Sequence, residues 1–196
     1  MEDTISVPNE PQIERVAYGL YKIKDSITHG WDHTERVASY AQIIARKSCP
    51  QYLEDVTIAA FFHDIGRIDD SKGPIHAIEG AKIVQSVVPE FWPNSQIESI
   101  IFAVRHHADR AAPNRKFPTT GNYEDLMGER IIPEIVASVW DADRLDLARF
   151  PHKIPINIEY LSTKWGKEFA NSVEHLRPYK EVHEVNSLEY KRKEQK

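Results

Sequence analysis

An apolar run that ends in an adjacent imidazole and carboxylate, Phe61-Phe62-His63-Asp64-Ile65-Gly66-Arg67, constrains this chain more than any other stretch. Side chains that are costly to bury stand there directly beside side chains that demand burial. Such a doublet offers nitrogen and oxygen donors together, a mixed set that suits a first-row divalent cation. Taken alone it reads more simply as a helix end whose aspartate caps and whose histidine packs. The remainder of the chain decides between these readings.

Helical periodicity surrounds the doublet. Ile13, Val16, Ala17, Leu20 and Ile23 form one apolar face from near Pro11. A second helix is expected with Asp32 as N-cap and Glu35 three residues on, its face continuing through Val37, Tyr40, Ala41, Ile44 and Ala45. His33 lies on that face, four residues before Val37, and therefore points inward. A third helix, from about residue 54, carries Ile58, Ala59 and Phe62 to the doublet and stops at Gly66. A fourth begins near Ile75 with His76, Ala77, Gly80, Ala81 and Val84, and is expected to end before Pro89. Residues 95–107 give a fifth, ending in Arg105-His106-His107. Residues 108–128 are rich in proline and glycine and long for a structureless loop, which suggests a lid or substrate-binding element. Pro133 opens a helix through Ile135, Val136, Val139 and Trp140 into Asp141-Ala142-Asp143-Arg144-Leu145-Asp146, and a last helix spans residues 158–176. No strand pattern and no repeat stands out. The expected fold is all-α: one helical bundle over residues 11–176, a loose leader over 1–10 and a polar tail over 177–196.

The titratable residues His33, His63, Asp64, His76, His106, His107 and Asp141 each fall at the end of an apolar helix. Helix ends can converge on one cavity, and inward imidazoles and carboxylates are costly unless paired or bound to metal. A net charge of −5, from 25 basic and 30 acidic residues, argues against a broad surface for duplex nucleic acid. The single Cys49 allows no internal disulfide, Met1-Glu2-Asp3-Thr4 lacks the features of a signal peptide, and no apolar run is long enough to span a bilayer. A cytoplasmic protein without a membrane partner is expected.

The order of His33 within His33-Thr34-Glu35-Arg36-Val37, the His63-Asp64 doublet and Asp141 within residues 141–146 resembles the HD-domain metal-dependent phosphohydrolase superfamily, over a core of about residues 28–150. His76 and the His106-His107 pair resemble the members that hold two metals. His29-Gly30 before His33, and Tyr160-Leu161-Ser162-Thr163 after Asp141, resemble a group of small stand-alone bacterial HD proteins. The resemblance implies an all-helical fold in which His33, His63, Asp64 and Asp141 hold a first divalent ion, while His76 with one or both of His106 and His107 completes a second. His106 and His107 project about 100° apart on a regular helix, so both reach one ion only where the helix has ended. Manganese, iron, cobalt, nickel, zinc and magnesium all remain open.

The implied chemistry is metal-activated hydrolysis of phosphate esters or anhydrides, with nucleotides the preferred small-molecule substrates. Asp64 and Arg67 are the catalytic candidates, and Arg36 and Arg144 the candidates for binding substrate phosphate. Lys72 and Arg105 also lie near ligands in sequence, and Glu79, one turn after His76, lies within reach of a base role. His29, His152, His175 and His183 read as surface or structural, and Asp143 and Asp146 as caps, partners of Arg144 or supports for the ligands. Trp31 and Trp92 read as core, or as stacking surfaces for a base. The chain lacks the Gly-Tyr-Pro motif of the cyclic-dinucleotide phosphodiesterases and has Arg67 where some nucleotidases have a glutamate after the doublet. A single-strand nuclease and a non-catalytic nucleotide- or partner-binding module are the competing readings. A homodimer through the first or last helix is left open.

Overall fold

The computed structural model describes residues 7, 9–71, 73–108, 130–150, 156 and 158–176. The lid candidate over 108–128 therefore lies outside the described residues except for Ala108, as do Lys72, His152, His183 and the tail. Among the described residues there are seven α-helices and no strand: α1 Glu10–Leu20, α2 Trp31–Ser48, α3 Leu53–Phe62, α4 Ile75–Phe91, α5 Ile97–His106, α6 Pro133–Leu145 and α7 Lys164–Leu176. Of the leader, Val7 is buried against the core and Glu10 already opens α1.

The centre of the bundle is α3. After Asp55 it carries no charged residue, and Val56, Ile58, Ala59, Ala60 and Phe62 have essentially no exposed surface, as expected of a helix apolar all round. It packs against α1, α2, α5 and α6, so its C-terminal end opens into the middle of the molecule. Asp55 at its start accepts the Gln96 N–H at 2.6 Å and thereby tethers the approach to α5. Trp140 of α6 donates its indole N–H to the Ala103 carbonyl of α5 at 2.9 Å.

Three local details differ from the sequence expectation. The Asp32–Glu35 capping box does not form: α2 starts at Trp31, Gly30 occupies the cap with no side-chain bond, and Asp32 falls inside the first turn. α4 runs through Pro89 to Phe91, with Pro89 and Gln85 on the exposed side, where the carbonyl that the proline cannot serve is not sealed in the core. The last helix begins only at Lys164, since residues 161–163 leave helical geometry to wrap the carboxylate of Asp141.

Gly66 sets the distance between the doublet and α4. A Cβ at this position would stand 2.1 Å from the His76 carbonyl oxygen and 2.4 Å from the Gly80 nitrogen, so only glycine admits the close approach. That contact carries the start of α4, with His76, up to the end of α3.

Candidate metal centre

Two groups of donors meet at the end of α3. In the first, His33 Nε2 and His63 Nε2 are 3.1 Å apart, with Asp64 Oδ2 at 3.7 and 3.6 Å from them. In the second, His76 Nε2 and His107 Nε2 are 3.1 Å apart, with Asp64 Oδ1 at 3.2 and 3.1 Å. Asp64 thus lends one oxygen to each group. All five side chains are buried.

Helix ends explain how the rings are aimed. His63 and His107 directly follow α3 and α5, and each turns its Nδ1–H back onto a carbonyl of the last turn, Ala60 at 2.7 Å and Val104 at 2.6 Å. Those carbonyls have no partner within the helix, and the rings satisfy them. His33 places Nδ1 2.6 Å from Asp146 Oδ2. Arg149 Nη1 also lies 3.2 Å from that nitrogen, but the shorter contact, to an oxygen that only accepts, puts the proton on Nδ1. His33 and His63 therefore face each other with Nε2 lone pairs and no proton between them. Such an arrangement is repulsive unless a cation lies in it. Donors that share an ion at about 2.1 Å stand about 3.0 Å apart in octahedral and about 3.4 Å apart in tetrahedral geometry, close to the spacings found.

The electrostatics agree. Burial pushes His63 down to about 4, leaving it neutral and able to ligate. For Asp64 burial works upward, but the charge that His63 gains when it protonates at low pH and the hydrogen bonds from His107 and His76 outweigh it and hold the carboxyl well below the usual range. For His107 burial works downward and is overcome by the hydrogen bond to Asp64 and its charge, so the ring's proton affinity is raised, the mark of a place that draws positive charge. A buried carboxylate and a part-exposed one among imidazoles suit a divalent ion.

The second carboxylate is Asp143, not Asp141. Asp143 Oδ1 lies 3.4 Å from His33 Nε2 and 3.9 Å from His63 Nε2, and 29% of its side chain stays exposed, which makes it the open edge of the site. Asp141 faces the other way. Its carboxylate accepts the backbone N–H groups of Ser162 and Thr163 at 2.8 and 2.7 Å and the Thr163 hydroxyl at 2.7 Å, and Gly166 passes so close that a Cβ would stand 2.5 Å from Asp141 Oδ2. Residues two apart on a helix point about 200° apart, so only one of the two can face the histidines.

His107 enters the site and His106 does not: the ring of His106 lies 4.5 Å from that of Phe102. Arg67 is buried, with Nε 2.8 Å from Asp64 Oδ2 and Nη1 donating to the Ser71 carbonyl at 3.4 Å. Arg36 donates Nε and Nη2 to Asp146 at 2.7 and 3.3 Å, supporting the carboxylate that orients His33. Arg149, which the sequence reading passed over, joins the same carboxylate and also donates to the Thr28 carbonyl. Arg144 turns away, donating to the Tyr160 carbonyl at 2.7 Å beside Asp141. Glu79 pairs with Lys82 at 2.7 Å on the exposed face of α4. Trp31 and Trp92 are buried, Trp31 stacked on Phe61, so neither offers a surface to a base.

The family model described as "HD domain" matches residues 30–148, more than half of the chain. Among solved structures, a predicted HD superfamily hydrolase from an uncultured Thermotogales bacterium is similar, with a TM-score of 0.61 and 22% sequence identity over 96% of this chain and 95% of that one. No curated protein matches.

Proposed function

The chain belongs to the HD-domain family, and from that premise we propose that it is a cytoplasmic metal-dependent phosphohydrolase that cleaves phosphate ester or anhydride bonds, with nucleotides as the preferred substrates. The observation that carries this reading is the pair of imidazole clusters sharing Asp64, each with Nε2 atoms 3.1 Å apart. The residues that would hold ions are His33, His63, Asp64 and Asp143 in one cluster and His76, His107 and Asp64 in the other. A divalent ion bound there supplies Lewis-acid polarisation of a phosphoryl oxygen and lowers the pKa of water. Asp64 holds the two clusters in register, and Arg67 restrains one of its oxygens while placing a guanidinium beside the charge that develops on phosphorus. Asp146, with Arg36 and Arg149 on it, fixes the ring of His33. Asp143, the most open of the ligands, marks the side from which substrate approaches.

The nucleotide class follows from the family resemblance. The nuclease reading loses support from the net charge of −5 and from the burial of Trp31 and Trp92, since a single-strand groove needs cations and exposed aromatic faces. No helix among the described residues is long and apolar enough to cross a membrane.

The test is release of phosphate or pyrophosphate from nucleoside mono-, di- and triphosphates, dinucleotides and short single strands, with manganese, cobalt, nickel or iron supplied. Hydrolysis of at least one nucleotide is expected, and it should fall at least about 100-fold in Asp64→Ala and vanish in chelator. A fully metal-loaded protein that releases phosphate from none of them would sink the reading and favour a binding module.

A further inference from the structure

The ring contacts of the centre form a row. His76, His107, His63 and His33 follow one another edge to face, with centroids 5.0, 5.2 and 5.1 Å apart. The row does not end with the ligands. His29 stands 5.8 Å from His33 at an interplanar angle of 85°, and unlike the buried four it keeps 29% of its side chain exposed.

One bond holds this fifth ring, and several more hold its backbone and its partner. Asp70, on the loop that follows the doublet, lies 2.9 Å from His29 Nδ1 and accepts the hydroxyls of Thr28 at 2.6 Å and Ser26 at 2.7 Å. Ser26 Oγ in turn accepts the backbone N–H of His29 at 3.0 Å, and the Tyr21 hydroxyl donates to the His29 carbonyl at 2.9 Å. Burial works to raise Asp70, but the bonds from Thr28, Ser26 and His29 hold it down to about 2, so it stays ionised and only accepts. The proton of His29 accordingly sits on Nδ1, and Nε2 carries a lone pair. Coordination at the two clusters requires none of this.

We propose that His29 is a further residue of the hydrolytic reaction, whose Nε2 accepts a hydrogen bond from the attacking water and orients it, and that Asp70 is its positioning residue, fixing the tautomer. The inference rests on the hydrolase reading above. It is the same division of labour by which a carboxylate holds a histidine in the tautomer that hydrolysis needs.

Long-range 15N–1H spectra of the imidazoles, recorded on the zinc-loaded protein, should show His29 protonated at Nδ1 in the wild type. In Asp70→Asn, where the amide can donate to Nδ1, the proton should move to Nε2. With p-nitrophenyl phosphate and manganese, Asp70→Asn and His29→Leu should lose about 100-fold in kcat with KM and bound manganese unchanged, while His29→Gln, which keeps an acceptor, should retain more. A wild-type ring protonated at Nε2, or turnover indifferent to Asp70→Asn and His29→Leu, would overturn the inference and leave Asp70 as a loop staple only. Loss of turnover accompanied by loss of bound manganese would overturn it equally, since the pair would then act on the clusters. Absence of turnover in the wild type overturns both the inference and the reading beneath it; turnover indifferent to the substitutions overturns the inference alone.

Discussion

Asp141 and Asp143 flank Ala142 and face opposite ways, a matter of helix geometry. Asp143 and Asp146, three apart, lie on one face of the chain and meet His33 from two sides, at Nε2 and Nδ1. The sequence allows both aspartates as caps, as partners of Arg144 or as supports for the ligands; Asp146 sits at His33 Nδ1 as a support would, and Asp143 sits at the open edge of the first cluster. Asp143→Ala should weaken divalent-ion binding at least about tenfold with little effect on the metal-free fold. Asp141→Ala should cost the metal-free fold about 1–3 kcal/mol, because two backbone N–H groups and a hydroxyl lose their acceptor. Ion-binding isotherms beside urea denaturation in chelator separate the two, and exchanged outcomes would restore Asp141 as the ligand. His63 predicts a pH dependence. Its folded value of about 4 lies below the ordinary value of about 6.5, so between them the unfolded chain takes up the proton and the folded chain does not. Its stabilisation is complete above about pH 6.5 and declines toward pH 4, with a slope of up to about 1.4 kcal/mol per pH unit. His107, raised, acts in the opposite sense but in a window opening upward from about 6.5, and the lowered carboxylates add losses only below about 3.9. Denaturation of the metal-free protein across pH 4–8 measures this; a flat profile below 6.5 would contradict a neutral His63.

Helix ends carry the information that was easiest to read. An apolar run terminated by His63-Asp64, and another terminated by His106-His107, state in sequence that polar donors sit where a core helix stops. What sequence could not state is which of two adjacent rings turns inward. The His107 ring turns onto the Val104 carbonyl of its own helix end, but the partners that mark it as inward, His76 and Asp64, are brought to it only by the fold. His29 reads as surface or structural in the sequence because its partner Asp70 lies 41 residues away and only the fold joins the two loops. The close approach of α3 and α4 at Gly66 likewise depends on packing. Gly66→Ala should destabilise the metal-free protein by about 1–3 kcal/mol or more and displace His76 from Asp64, so that one ion per chain is lost first. A variant with wild-type urea midpoint and full ion content would show that α4 can move aside without cost.

At the scale of the molecule, a fully buried α3 surrounded by α1, α2, α5 and α6 is what brings donors from five separate stretches of chain to one point. The all-helical class was legible because every apolar stretch kept helical period. The closure of the bundle by α7 was only half legible: the sequence reading marked residues 160–163 without seeing that they cap onto Asp141. Asp64 lends one oxygen to each of the two donor groups. The most direct test is the number of divalent ions bound per chain, measured by titration of the metal-free protein with manganese, for wild type, Asp143→Ala and Asp64→Ala. Two ions in the wild type, one weakened selectively in Asp143→Ala and both lost in Asp64→Ala is the expected result. Binding in Asp64→Ala equal to the wild type, or no binding in the wild type at all, would contradict it.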